Sequence, residues 1–153
     1  MNNPSSTIRV VLATILFAGA GVGAGHAYLT QSSPANLAIV DAHLEAIHIT
    51  FSEPIEVRFS LFKLYPLDVE PGLEGRQLAL AARDLASRVL PLHGDEDARV
   101  PVSVEAGGRT SDEINLILQG ELRPGAYVVM WRVLSIDTHT TEDFIVFNYL
   151  PEE

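Results

Sequence analysis

Residues 126–135 read Ala-Tyr-Val-Val-Met-Trp-Arg-Val-Leu-Ser. β-Branched and aromatic side chains crowd the run, and Tyr127, Val129, Trp131 and Val133 recur at every second position. A period of two sends alternate side chains to opposite faces of an extended chain, so the stretch predicts a strand with one buried, aromatic-rich face. Arg123-Pro124-Gly125 in front of it predicts a turn, because proline presets one backbone angle and glycine tolerates the next. On the far side, Asp143–Leu150 predicts a closing strand. Towards the N-terminus, Ile114–Leu118 and Val102–Glu105 predict short strands and Val57–Tyr65 a longer one. Leu44–Ser52 alternates Ile47, Ile49 and Phe51 against His48, Thr50 and Ser52, the pattern of a half-buried strand. Several short strands divided by turn signals predict an all-β sandwich or barrel.

One segment departs from this rhythm. Across Glu74–Leu90, Leu78, Ala82, Leu85 and Val89 follow spacings of four, three and four, and no β-branched residue comes before Val89. That predicts an amphipathic helix packed on the sandwich through those four side chains. Pro91 ends it, and Pro91–Arg99 reads as a polar loop.

The chain has 153 residues, 47% hydrophobic and 20% charged, which suits one globular domain. Its formal net charge of −10 repels DNA, other nucleic acid and anionic lipid alike. There is no cysteine, so disulfides, thiolate zinc sites and thiol nucleophiles are excluded. No nucleophile elbow, phosphate loop or dinucleotide fingerprint is present.

Residues 1–25 read as a secretory signal. Arg9 is followed by the apolar run Val10–Ala18 and then by small residues, Gly19–Gly25. The apolar-or-small run Val10–Ala24 falls short of the roughly 20 residues of a spanning helix. Gly23-Ala24-Gly25 places the cleavage before His26, leaving residues 26–153 as the mature domain and the periplasm or the cell exterior as its location; a cut after Ala27 is sterically open too and would discard His26.

Three groups of residues carry candidate chemistry. A histidine at a new N-terminus offers its α-amine and its imidazole together, two nitrogens that chelate and suit the tetragonal preference of Cu(II); alone, His26 reads equally as a frayed end. Asp137-Thr138-His139 follows the strongest strand. In extended backbone, residues two apart face the same way, so a carboxylate and an imidazole converge and complete a square plane; a polar inter-strand loop is the plain alternative. Glu53, in Phe51-Ser52-Glu53-Pro54, reads either as a group orienting a ligand from behind or as an exposed acid at a strand end. His43, His48 and His93 read as surface residues, and Tyr127 and Trp131 as core. The two methionines, Met1 and Met130, cannot form a thioether cluster for Cu(I).

Taken in order, His26-Ala27-Tyr28-Leu29, Ser32-Ser33-Pro34-Ala35, Ile49-Thr50-Phe51-Ser52-Glu53-Pro54, the run Tyr127–Ser135, Asp137-Thr138-His139 and Phe144-Ile145-Val146-Phe147 resemble the CopC copper-resistance proteins. The resemblance implies an immunoglobulin-like or Greek-key β-sandwich in the periplasm or outside the cell. It implies Cu(II) held by the terminal amine and imidazole of His26 with Asp137 and His139. It further implies a part in copper handling or resistance as carrier or buffer, with a membrane copper transporter as a candidate partner. Residues 66 to about 100 are longer than the family's usual middle section and carry the helix as an insertion. Two other readings compete. A terminal-histidine copper site on a sandwich is also similar to that of lytic polysaccharide monooxygenases, although a ligating Asp137 would stand where an oxygen substrate must bind. A metal-free adhesion domain would share the fold and hold no copper.

Overall fold

The computed structural model describes residues 26–151; the leader expected over residues 1–25 lies outside the described residues. The chain runs β1 (Leu29–Ser33), β2 (Ile39–Val40), β3 (Ala46–Glu56), β4 (Leu61–Leu67), α1 (Gly75–Val89), β5 (Val102–Ala106), β6 (Thr110–Leu118), β7 (Gly125–Leu134) and β8 (Thr140–Tyr149). Two four-stranded sheets form, ordered β1-β3-β6-β5 and β2-β8-β7-β4. Every pairing is antiparallel except the two-residue contact of β2 with β8. This is the sandwich that the alternation predicts.

The inward faces supply the core. Ile47, Ile49 and Phe51 of β3 meet Phe62 and Leu64 of β4 and Tyr127, Val129, Trp131 and Val133 of β7. Phe51 meets the edge of Trp131 at a centroid distance of 5.8 Å and 82°, the arrangement that aromatic quadrupoles favour. Each large apolar side chain withdrawn from water here contributes about 1.5–3 kcal/mol. The Tyr127 hydroxyl donates to the Arg123 carbonyl at 2.8 Å, tying the predicted turn to the strand that follows it.

The outer face of β7 is buried as well. Ala126, Val128 and Met130 form a second apolar cluster with Val146 of β8 and with Leu78, Ala82, Ala86 and Leu90 of the helical segment. The helix stands where its period predicts it, but its buried line is rotated from the expected one. Ala86 and Leu90 go fully inside, while Leu85 and Val89 are half-buried at the margin. Alanines at positions 82 and 86 let α1 lie close on the sheet.

Two other expectations change. Val57–Phe59 does not begin a strand. It is a 3₁₀ turn, closed by Ser60, whose N–H donates to the Val57 carbonyl at 3.2 Å and whose hydroxyl donates to the Glu56 carbonyl at 2.9 Å. Pro91–Arg99 is more than a polar loop, because it carries Asp95 into a buried ionic cluster. The Lys63 ammonium, with its side chain fully inaccessible, donates to the Val89 carbonyl at 2.7 Å, the Leu92 carbonyl at 2.9 Å and Asp95 Oδ2 at 2.9 Å. Tyr65 and Arg99 also donate to Asp95. The cluster joins β4, the end of α1 and the loop after it, and a cation meets the negative end of the helix dipole.

Candidate functional site

One end of the sandwich gathers residues that lie over a hundred positions apart in sequence. The N-terminal segment is clamped there. Ala27 is buried in the core, and its carbonyl accepts from the Thr141 hydroxyl at 2.7 Å. Tyr28 exchanges two bonds with Ser52: its N–H donates to Ser52 Oγ at 3.1 Å, and its carbonyl accepts from the Ser52 N–H at 2.9 Å. Ser52 Oγ–H also reaches the His26 carbonyl at 3.3 Å. His26 itself is exposed.

β3 brings Ser52 to this place by leaving its neighbour. Its register with β6 breaks between Thr50 and Ile55, the behaviour of a bulge, which bends a strand and re-aims its side chains. The diverted stretch bonds instead to the segment after β7: Ile136 N–H donates to the Pro54 carbonyl at 3.3 Å, and Ile55 bridges Ser135. Residues 52–55 thereby touch both the N-terminal segment and the turn carrying Asp137. Glu53 sits within this stretch, part-buried, and its Oε1 is enclosed with no hydrogen-bond partner among the described residues. β3 continues through Glu53 to Glu56, so Glu53 does not lie at a strand end.

The turn over residues 135–139 is held by its own polar groups. Ser135 N–H donates to the His139 carbonyl and Thr138 N–H to the Ser135 carbonyl, both at 2.9 Å. Asp137 accepts from the Ser135 hydroxyl, from the His139 N–H at 3.1 Å and from His139 Nδ1–H at 2.9 Å. Thr138 has φ +76°, left-handed backbone that a β-branched residue adopts only when its surroundings impose it. The Asp137-x-His139 pair thus converges through a tight turn rather than through extended backbone.

The Asp137 side chain is 30% exposed and that of His139 55%. The Ser135 hydroxyl bond, helped by the His139 backbone and ring and opposed by partial burial, lowers the Asp137 carboxyl to about 2. An ionised carboxylate can only accept, so His139 carries its proton on Nδ1 and leaves the Nε2 lone pair free for a metal. The His26 and His139 rings lie 4.7 Å apart between centroids, tilted by 55°. His26, Asp137 and His139 each offer one donor atom, and these atoms all lie within 4.8 Å of one another. Two imidazoles and a carboxylate, open to solvent, form a donor set that fits a borderline divalent metal such as copper.

The other histidines stay apart. His48 Nδ1 pairs with the Asn115 side chain at 2.5 Å on the outer face of its sheet, His43 lies 3.9 Å from Glu45, and His93 is exposed in its loop. Met130 is fully buried beneath α1. The supporting roles of Ser52, Ser135 and Thr141 went unread in the sequence. For Ser52 and Ser135 the available signal was position, beside Glu53 and two residues before Asp137; for Thr141 there was none.

Comparison with known proteins gives a consistent picture. The CopC domain family model matches residues 29–149. Protein YobA of Escherichia coli K12 is 29% identical over 123 residues, covering 80% of this chain and 77% of that protein, and the same figures hold for Protein YobA of Shigella flexneri. Among solved structures, CopC from Methylosinus trichosporium OB3b superposes with a TM-score of 0.59 at 22% identity, over 84% of this chain and 97% of that one, a likeness of fold. PcoC, described as a methionine-rich copper resistance protein from Escherichia coli, gives a TM-score of 0.57 at 26% identity, over 82% of this chain and 99% of that one.

Proposed function

The chain belongs to the CopC family, and from that premise we propose that it is an exported, periplasmic or extracellular protein that binds one Cu(II) and acts in copper handling or resistance as a carrier or buffer. In this reading cleavage before His26 frees an α-amine. That amine, the His26 imidazole, His139 Nε2 and an Asp137 oxygen supply three nitrogens and one oxygen, a set that favours Cu(II) over Zn(II) in the Irving–Williams order. The observation that carries the proposal is the convergence of His26, Asp137 and His139, whose donor atoms lie within 4.8 Å although 110 residues separate the first two. Glu53 supports it as an enclosed acceptor without a described partner, next to Ser52, which bonds the N-terminal segment. A membrane copper transporter is the candidate recipient. The chain's methionine pair, one of them buried, gives no basis for a thioether Cu(I) site of the kind a methionine-rich relative could build. Binding rather than catalysis is favoured because Asp137 would fill the position that an oxygen substrate needs.

Copper titration of variants in the form beginning at His26 tests this. His139→Ala is expected to weaken Cu(II) binding by at least about tenfold, the low end for disturbing a metal site. Asp137→Ala is expected to weaken it less, because water can supply an oxygen. His43→Ala, His48→Ala and His93→Ala are expected to leave affinity unchanged. The nitrogens must shed protons to bind while Asp137 is ionised well below neutrality, so affinity should fall as pH drops from 8. Equal losses in a control histidine variant would contradict the assignment.

A further inference from the structure

The two histidine rings of the candidate site are held in different ways. Asp137 fixes the ring of His139 through Nδ1, whereas no hydrogen bond among the described residues holds the ring of His26. Its place 4.7 Å from the His139 ring therefore rests on the backbone of residues 26–28. That backbone is gripped by two side-chain hydroxyls. Ser52 Oγ accepts from the Tyr28 N–H at 3.1 Å and reaches the His26 carbonyl at 3.3 Å, and the Thr141 hydroxyl donates to the Ala27 carbonyl at 2.7 Å. Between these bonds the Ala27 side chain is 1% exposed, so the segment is anchored in the core as well.

The two hydroxyls come from different sheets, Ser52 from β3 and Thr141 from β8. Each ties the N-terminal segment to one half of the turn that carries the other donors. Thr141 stands two residues after His139 and bonds the residue after His26, so a few residues join the two histidines. Ser52 is followed by Pro54 and Ile55, which meet Ile136 and Ser135 just before Asp137. Residues that lie far apart in sequence are thus cross-linked by two short bridges.

We propose that Ser52 and Thr141 are positioning residues that hold the His26 donors against Asp137 and His139 before any metal arrives. The inference deepens the copper reading and rests on it. Both hydroxyls act through the backbone of residues 26–28 and not as ligands. Chain termini fray unless they are tied down. A frayed segment has to be ordered each time an ion binds, and that ordering weakens affinity. With residues 26–28 already fixed by folding, the binding step keeps the advantage of donors set in place beforehand.

The test uses the ¹⁵N-labelled chain from His26 to Glu153, first free of metal and then titrated with Cu(II). In the metal-free wild type, the heteronuclear NOE of the Ala27 and Tyr28 amides is expected to match that of the strands, a direct reading of order on the ps–ns scale. Ser52→Ala with Thr141→Val should lower both NOEs and weaken Cu(II) binding at least about tenfold, the low end for outer-shell partners of a metal site. Thr141→Val alone should do the same in part, and Thr141→Ser, which keeps the hydroxyl, should bind copper as the wild type does. Thr30→Val is the structural control. It removes a bond of 3.0 Å between the same strands, to the Thr50 carbonyl, without touching residues 26–28, and should alter neither NOE nor affinity. Unchanged affinity in the double variant would overturn the positioning role. So would a loss of affinity with both NOEs intact, or an equal loss in Thr30→Val. If the double variant does not fold, Thr141→Val against Thr141→Ser decides by the same criteria. A wild type that binds no copper would overturn the copper reading and this proposal with it; a wild type that binds, matched by the variants, overturns the positioning role alone.

Discussion

Lys63→Met is expected to lower the free energy of unfolding by about 3–5 kcal/mol, the usual loss when one partner of a buried ion pair is removed. All three ammonium protons are used, on the Val89 and Leu92 carbonyls and on Asp95. Methionine keeps the packing of the stem but leaves two buried carbonyls and an enclosed carboxylate short of a donor. A domain of this size is stable by only about 5–15 kcal/mol, so the loss is a large share of the whole. Adding Asp95→Asn to Lys63→Met should restore none of it, because Arg99 and Tyr65 still donate to the Asp95 carboxylate and Arg99 would lose its main partner. Arg99 holds the Asp95 carboxyl well below the usual carboxylate range, Tyr65 and Lys63 adding to the effect against burial. A depressed carboxyl contributes stability above its unfolded pKa of about 3.9, and that contribution is lost as pH falls through the native value. The wild type should therefore keep this part of its stability until strongly acid pH. Urea unfolding of the three proteins measures the effect, and a change under about 1 kcal/mol for Lys63→Met would mean that the cluster does not anchor the insertion.

That cluster also shows why part of the fold escaped the sequence. Lys63, Tyr65, Asp95 and Arg99 lie on two segments joined only by tertiary folding, and each alone reads as ordinary surface chemistry. β7 was legible because its alternation is strong, but its second face was not: Val128 and Met130 are buried by a helix whose period announces that it packs on the sandwich but not which face of which strand it covers. The helix itself was legible from spacing alone, though alanines at positions 82 and 86 turned its buried line away from Leu85 and Val89. β1 reads Leu-Thr-Gln-Ser-Ser, too polar to signal a strand, and forms because β3 offers it a partner. β2 has two residues, fewer than any period can reveal.

The candidate site was more legible than its scaffold. His26, Asp137 and His139 are of types and in places that ligand chemistry singles out, and the structure brings their donors together. The means of convergence were hidden. The bulge that swings residues 52–55 across the sandwich and the left-handed Thr138 are properties of the folded backbone, and neither residue type suggests them. Thr138 is the sharper case, since a β-branched residue is among the last expected there.

The proposed copper site depends on an α-amine at His26. A terminal amine and its own imidazole chelate, so the second nitrogen binds with little further loss of freedom. One glycine placed before His26 turns that amine into an amide and moves the only free amine away from the site, while every side chain keeps its place. Affinity should fall at least about a hundredfold, or ~2.8 kcal/mol at 1.4 kcal/mol per tenfold. The deciding measurement is a Cu(II) titration, followed by electron paramagnetic resonance, of the chain beginning at His26 beside the chain beginning Gly-His26. One copper per molecule and a three-nitrogen, one-oxygen spectrum are expected in the first, and in the second a much weaker site with an altered spectrum. The same affinity and the same spectrum in both would contradict it.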